Sequence, residues 1–156
     1  MACGAGVAKI VSGGQTGVDR AALDVALELG LPCGGWVPRG RQAEDGRIPP
    51  IYPMRETESR GYATRTRLNV RDSDATLILS RGEPTGGTAL TVDCALSLGR
   101  PHLVVDLAGE VDLPAVRAWL ALHDVRVLNV AGSRESAPPG IYQAAVDVLK
   151  NLLGSE

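Results

Sequence analysis

The chain contains no phenylalanine, and aromatic residues make up only 3% of it. Its core must therefore be built from Val, Leu, Ile and Ala, a balance that suits an α/β protein. No apolar run approaches the roughly 20 residues that a membrane-spanning helix needs, and the opening MACGAGVAK has neither the charged nor the apolar region of a secretory signal. Cys3, Cys33 and Cys94 contain no C-x-x-C pair and leave an odd count, which fits a reducing compartment better than a disulfide framework. His102 and His123 stand far apart, so neither they nor the cysteines match the spacing of a protein-ligated metal. A formal net charge of -2 offers no broad attraction to nucleic acid or to an anionic membrane, so any positive site must be local. These absences lead us to expect a cytoplasmic, soluble protein.

What is present is glycine, 19 residues of it, with 10 prolines and 44% hydrophobic content in 156 residues. That length supports one sizeable core and predicts a single domain over 1–156. Val7 to Val11 reads as a buried strand, and Val18 to Leu29 as a helix stopped by Gly30 and Pro32. "LPCGGW" reads as a short second strand, and "VPRGRQAEDGRIPPIYP" as a long loop without period. A polar helix is expected over Thr57 to Arg71, a buried strand over Ala75 to Ser80, a helix over Thr88 to Leu98 and a strand over His102 to Asp106. A helix from Pro114 to about His123, a strand over Val125 to Val130 and a last helix over Ile141 to Leu153 complete the reading. Alternating strands and helices imply parallel pairing with right-handed crossovers, hence a doubly wound, mainly parallel sheet with helices on both faces.

Ligands of such sheets collect outside the carboxyl ends of the strands. "SGGQTGVDR" (12–20) lies at such an end, between the first strand and the first helix. Glycines let backbone approach a ligand closely, and a helix start offers unpaired N–H groups to an anion. The same Gly13, Gly14 and Gly17 would also serve a plain tight turn, with Thr16 or Asp19 capping the helix. A second glycine loop, "RGEPTGGTAL", repeats the design after Ser80, and a third, "NVAGSRES", supplies Asn129, Ser133, Arg134 and Ser136. Arg134 has the side chain that grips phosphate or carboxylate in a fork. The phosphate loop G-x-x-x-x-G-K-[ST] is absent, G-x-G-x-x-G does not follow the first strand, and no acid stands between Cys33 and Trp36 to hold a ribose. Ordinary dinucleotide binding is therefore not expected.

Tyr62, Arg65 and Asn69 share one helix face by their spacing, either towards the ligand or on a solvated surface. Asp19 and Arg20 are placed to pair locally, and Trp36 either stacks on a planar ligand or covers the sheet edge. No Ser-His-Asp or Cys-His arrangement is evident.

The segments "SGGQTGVDRAALDVALELGLPCGGWVPRGRQAEDGRIP", "RDSDATLIL", "GGTALT" and "LNVAGSRESAPPGIY" resemble the molybdenum cofactor carrier-like family. This is a branch of the Rossmann-like superfamily that also holds the lonely-guy phosphoribohydrolases. The resemblance implies a doubly wound nucleotide-binding fold that carries molybdenum cofactor at its glycine loops, and it carries over onto Gly13, Gly14, Thr16, Gly86, Gly87 and Thr88. With Gln15, Gly17, Arg20 and Arg134 these form the expected binding set, without catalytic residues or metal ligands. The lonely-guy pattern P-G-G-x-G-T-x-x-E would place its glutamate at Thr91, which is no carboxylate. Ser133 stands where proline would be expected in "AGPRES". The resemblance thus implies non-catalytic binding of a phosphorylated or oxyanionic ligand, either molybdenum cofactor or a nucleotide. Alternatives are a nucleotide-processing enzyme using Asp93 or Glu83, and a nucleotide sensor. Expected partners are that anionic ligand, molybdoenzyme apoproteins and a second copy of the chain in a homo-oligomer, but neither nucleic acid nor a membrane.

Overall fold

A computed structural model describes residues 5–136 and 139–154, so Cys3, Ala137 and Pro138 lie outside it. The first apolar run forms β1 (Lys9–Val11), and the amphipathic stretch beyond it forms α1 (Val18–Leu29), ended by Gly30. Gly30 takes a φ of 72°, a left-handed cap that costs glycine little. Next come β2 (Cys33–Gly34), β3 (Trp36–Val37), β4 (Gln42–Ala43), β5 (Gly46–Arg47) and β6 (Arg55–Glu56), all two residues long. The larger elements that follow are α2 (Tyr62–Arg71), β7 (Ala75–Ser80), α3 (Gly86–Leu98), β8 (His102–Asp106), α4 (Leu113–Leu122), β9 (Val127–Gly132) and α5 (Ile141–Leu153).

Five strands form the central sheet in the order β2-β1-β9-β7-β8, and every adjacent pair is parallel. Helices α1 and α5 pack together on one face, and α2 and α3 on the other, which gives the Rossmann-like doubly wound arrangement. β7 is buried at every position, as its unbroken apolar-rich run requires of a strand covered on both sides. Its alternate residues Ala75, Leu77 and Leu79 join the main core with Ile10, Leu128 and Val130 and the apolar sides of α1, α4 and α5.

The opposite face is built differently. Under α2 and α3 the buried apolar cluster is small, formed by Val70, Cys94 and Ala95 with Leu90 and Leu98 against them. Polar residues stand on the sheet there: Asn129 Nδ2 donates to Thr76 Oγ1 at 3.2 Å, fully out of solvent. A polar, thinly packed face does not seal against its helices, and it leaves a cavity at the carboxyl ends of β1, β9 and β7.

Several stretches differ from the sequence reading: the strand expected over Val125 to Val130 runs over Val127–Gly132, α3 starts at Gly86 instead of Thr88, and "LPCGGW" divides between β2 and β3 in different sheets. The helix expected from Thr57 begins at Tyr62. Thr57 N instead donates to Val37 O at 2.8 Å, beside the β3–β6 ladder, while Thr57 Oγ1 donates to Ser59 O at 2.7 Å. Ser59 Oγ then accepts from Gly61 N at 3.0 Å, so local side-chain bonds displace the helical ones for this turn. The expected long loop contains the β4–β5 hairpin, pinned by Arg41, which donates to the carbonyls of Ile48, Pro49 and Tyr52. Strands of two residues leave no periodicity to read.

Candidate functional site

Much of the first glycine loop is spent on holding the chain together. Gly17 precedes α1 without a side-chain cap, and Val18 N donates to Ser133 O at 3.1 Å. A Cβ on Gly17 would lie 2.3 Å from that same carbonyl oxygen, so glycine is needed for the third loop to close over the start of α1. The start of α1 is thereby covered by the protein itself. Arg20 donates to Gly14 O from Nε at 3.1 Å and from Nη2 at 3.0 Å, and its Nη1 pairs with Asp45 at 3.1 Å. Thr16 Oγ1 donates to the Glu44 carboxylate and accepts from Glu135 N at 3.2 Å. Hydrogen bonds from Ser136 and Thr16 hold the Glu44 carboxyl below its usual value. Hairpin, first loop and third loop are thus tied at Glu44.

Behind this brace lies a cavity of about 380 Å³ lined by the first loop, α2, the start of α3 and the third loop. Its one lining carboxylate is Asp19, whose Oδ2 lies 3.2 Å from Arg65 Nη1 and accepts from Gln15 N at 3.3 Å. Burial pushes the Asp19 carboxyl above the ordinary value, against the downward pull of Arg65 and the Gln15 N–H. Arg65 can reach this position because residue 13 is glycine: a Cβ there would fall 1.4 Å from Nη1.

Two buried donors in this wall have no partner, Gln15 Nε2 and Arg65 Nε. Gln15 Oε1 accepts from Thr16 N at 3.0 Å and from Glu44 N at 2.8 Å, which fixes the amide's orientation with its NH₂ unused. Buried donors are nearly always satisfied, so these two are exceptions within the fold.

The opposite wall is the start of α3. Thr85 precedes it without a side-chain cap, and its carbonyl accepts from Thr88 N at 3.0 Å and Ala89 N at 3.2 Å. A Cβ on Gly86 or Gly87 would meet no heavy atom within 4 Å. Thr88 N and Ala89 N are thus engaged, Gly86 N and Gly87 N have no partner among the described residues, and the space a side chain at 86 or 87 would take is open. Thr91 Oγ1 donates to Gly87 O at 3.0 Å and lines the cavity, whereas Glu83 and Asp93 are exposed and do not line it. Arg134 lines the mouth, its Nη1 3.8 Å from Glu44 Oε1.

The cavity therefore gathers Gly13, Gln15, Gly86, Gly87, Thr88 and Arg134 from the expected set, together with Tyr62, Arg65 and Asn69 of α2. Gly14, Thr16, Gly17 and Arg20 stand outside its lining and brace it. Asp19 engages Arg65, a long-range partner that neighbouring sequence could not indicate. Trp36 covers the side of α2: its Nε1 donates to Asp72 at 2.9 Å, Arg55 lies 4.3 Å over its ring, and Asn69 bonds to its backbone. Sequence reasoning did not find Thr66 or the Glu44 tie. An acid within a Gly- and Pro-rich loop was the only signal for the latter.

Among the described residues no group of three or more His, Cys, Asp or Glu is placed to hold a metal ion, and no helix is long and apolar enough to cross a membrane. No curated protein matches the chain. A solved structure is similar along almost its whole length, with a TM-score of 0.92, 45% identity and 96% of each chain covered. It is that of a protein described as a putative molybdenum carrier, from Syntrophus aciditrophicus SB. The model of the circularly permutated YpsA SLOG family matches residues 10–153, and with the parallel sheet and glycine loops described above, the chain belongs to that family.

Proposed function

We propose that the protein binds and carries a phosphorylated or oxyanionic small ligand, the molybdenum cofactor, without turning it over. The observation that carries this reading is the start of α3, which no side chain caps and where a Cβ on Gly86 or Gly87 would meet no heavy atom within 4 Å. Phosphate is the ligand group suited to such a place. Thr88 and Arg134 line the same space, and a volume near 380 Å³ falls within the range of small-molecule sites. The name of the similar solved structure supports the same cargo. In the absence of a protein-ligand cluster for a metal among the described residues, the cargo's own organic scaffold would retain it and the protein would recognise that scaffold.

Hydrolysis has less support. Thr91 donates its hydroxyl to Gly87 O, and neither Glu83 nor Asp93 reaches the cavity. Asp19 does, yet its Oδ2 is engaged by Arg65 and Gln15 N. A carrier of this kind would work in the cytoplasm, deliver to molybdoenzyme apoproteins and self-associate through exposed apolar residues such as Leu96 and Leu122. Titration of the purified protein with a molybdopterin preparation tests the reading. Stoichiometric binding without release of free base from nucleoside monophosphates is expected, and base release would overturn it.

A further inference from the structure

We propose that the open edge of β8 joins two copies of the chain, the two strands running antiparallel about Val104 so that the central sheets continue into one another. This goes beyond the ligand reading and gives the self-association named above a place and a register.

The central sheet has two edges. β2 is two residues long and offers almost no ladder, whereas β8 runs five residues, His102–Asp106, in unbroken register with Thr76–Ser80 of β7. Edges of that length are commonly blunted by Lys, Pro or a bulge, and HLVVD has none of them. Thr76 N donates to Pro101 O at 3.0 Å, and Leu107 N to Ser80 O at 2.7 Å. Alternate residues of a strand direct their backbone groups to the same side, so Leu103 and Val105 complete the row towards β7. The N–H and C=O groups of His102, Val104 and Asp106 therefore point outwards, without a backbone partner among the described residues. A twofold axis at Val104 sets Val104 opposite Val104 and His102 opposite the Asp106 of the second copy. These are the hydrogen-bonded pairs of an antiparallel ladder, so one register serves every outward backbone group of the strand on both copies.

Charge agrees with that register. Leu103 and Val105 pack against the main core, so His102, Val104 and Asp106 share the other face of the sheet, and each imidazole comes beside a carboxylate. Gly82 N and Ala108 N donate to Asp106 Oδ1 at 3.0 and 2.8 Å, which holds that carboxyl below its ordinary value and keeps it charged. Val104 is 39% exposed and meets its own copy between the two pairs.

The helices flanking β8 carry the same signal. On α3, Cys94 clusters with Val70 of α2, whereas helix spacing puts Ala89, Val92 and Leu96 on the side turned from α2; none of these three is buried, and Leu96 is 64% exposed. On α4, Arg117 donates to Asn151 O of α5 at 2.8 Å, and the side turned from α5 holds Trp119 and Leu122, the latter 78% exposed. α5 packs on α1, and α2 beside β3, so both lie inward of β8. The two apolar helix sides thus flank the β8 edge, one on each face of the sheet. Five paired residues alone would bury too little for a stable dimer, and these sides supply the rest.

The test is sedimentation equilibrium of the full chain and of variants at two positions. Wild type is expected to associate. Val104→Pro removes the N–H at the centre of the joint, and Val104→Lys sets two cations against each other across the axis. Both should keep the fold, read by circular dichroism, because Val104 N bonds to nothing in the chain and an edge strand tolerates proline there. Each should weaken association at least about tenfold, the scale of two lost hydrogen bonds. Position 102 tests the register: His102→Lys keeps a cation opposite Asp106 and should hold or tighten association, whereas His102→Asp opposes two carboxylates and should loosen it several-fold. A monomeric wild type overturns the joint and the self-association with it. Association that survives both Val104 variants, or that ignores the charge at 102, overturns the joint alone. Neither result touches the ligand reading, because no residue lining the cavity is altered.

Discussion

Removing Arg65 exposes the energetic cost of the cavity. The Asp19–Arg65 pair is buried, with side-chain exposures of 6% and 12%. In Arg65→Met the carboxyl retains the Gln15 N–H at 3.3 Å and loses its cation. Breaking a buried pair by deleting one partner costs about 3–5 kcal/mol. For a domain of this size that lowers Tm by about 6–20 °C. The loss should also depend on pH, and its sign can be worked out. Burial already holds the Asp19 carboxyl above its ordinary value of 3.8, so the folded state binds the proton more tightly than the unfolded chain. Stability from this group therefore falls as pH rises from the unfolded value through the raised folded one. Without the pull of Arg65 that window extends upwards. The deficit of the variant against wild type should be largest near pH 8 and shrink as pH falls towards 4. Calorimetric Tm at several pH values measures it, and Asp19→Asn added to Arg65→Met should restore most of the loss at pH 8. A deficit below about 1 kcal/mol, the scale of an exposed ion pair, or one that ignores pH would refute the reasoning.

Other perturbations should separate bracing from binding. Gly13→Val places its Cβ on the Arg65 Nη1 position, so its destabilisation should overlap with that of Arg65→Met in a double-mutant cycle instead of adding to it. Gly87→Ala meets no atom of the chain and should raise stability by about 0.5 kcal/mol, yet reduce phosphate affinity in titration because the Cβ fills the ligand's space. Glu44→Gln should lower Tm at pH 7. Since the Glu44 carboxyl is held below 4.5 in the fold, its contribution is present above that value and lost as pH falls through the folded one. The Tm difference between Glu44→Gln and wild type should close accordingly.

The sheet was legible because its strongest signals are local. The run Ala75–Ser80 reads as buried and is buried throughout, and helices α1 and α5 begin and end where the sequence indicates. Gly86, Gly87 and Thr88 were also legible, since a helix start after a strand places them at the carboxyl edge. The first loop shows the limit of such reading. "SGGQTG" looks like a ligand cradle, yet Gly17 is required by Ser133 O, and Arg20 turns back to Gly14 O and Asp45. These partners lie far along the chain, and no local period encodes them. The same holds for Arg65, whose helix spacing indicated a face but not that Asp19 would meet it. The hairpin carrying Glu44 was hidden for another reason: it is held by Arg41 and by single side-chain bonds, not by repeated pairing.

The most direct test of the account is thermal stabilisation of the purified protein by a molybdopterin preparation, beside inorganic phosphate, molybdate, GTP and nucleoside monophosphates, with Gly87→Val as control. At about a hundredfold the dissociation constant a ligand adds roughly 2.7 kcal/mol, which for this size of domain is a rise of about 5–11 °C. The account predicts that rise with molybdopterin and its loss in Gly87→Val. Stabilisation by nucleotides alone, or an equal rise in Gly87→Val, would contradict it.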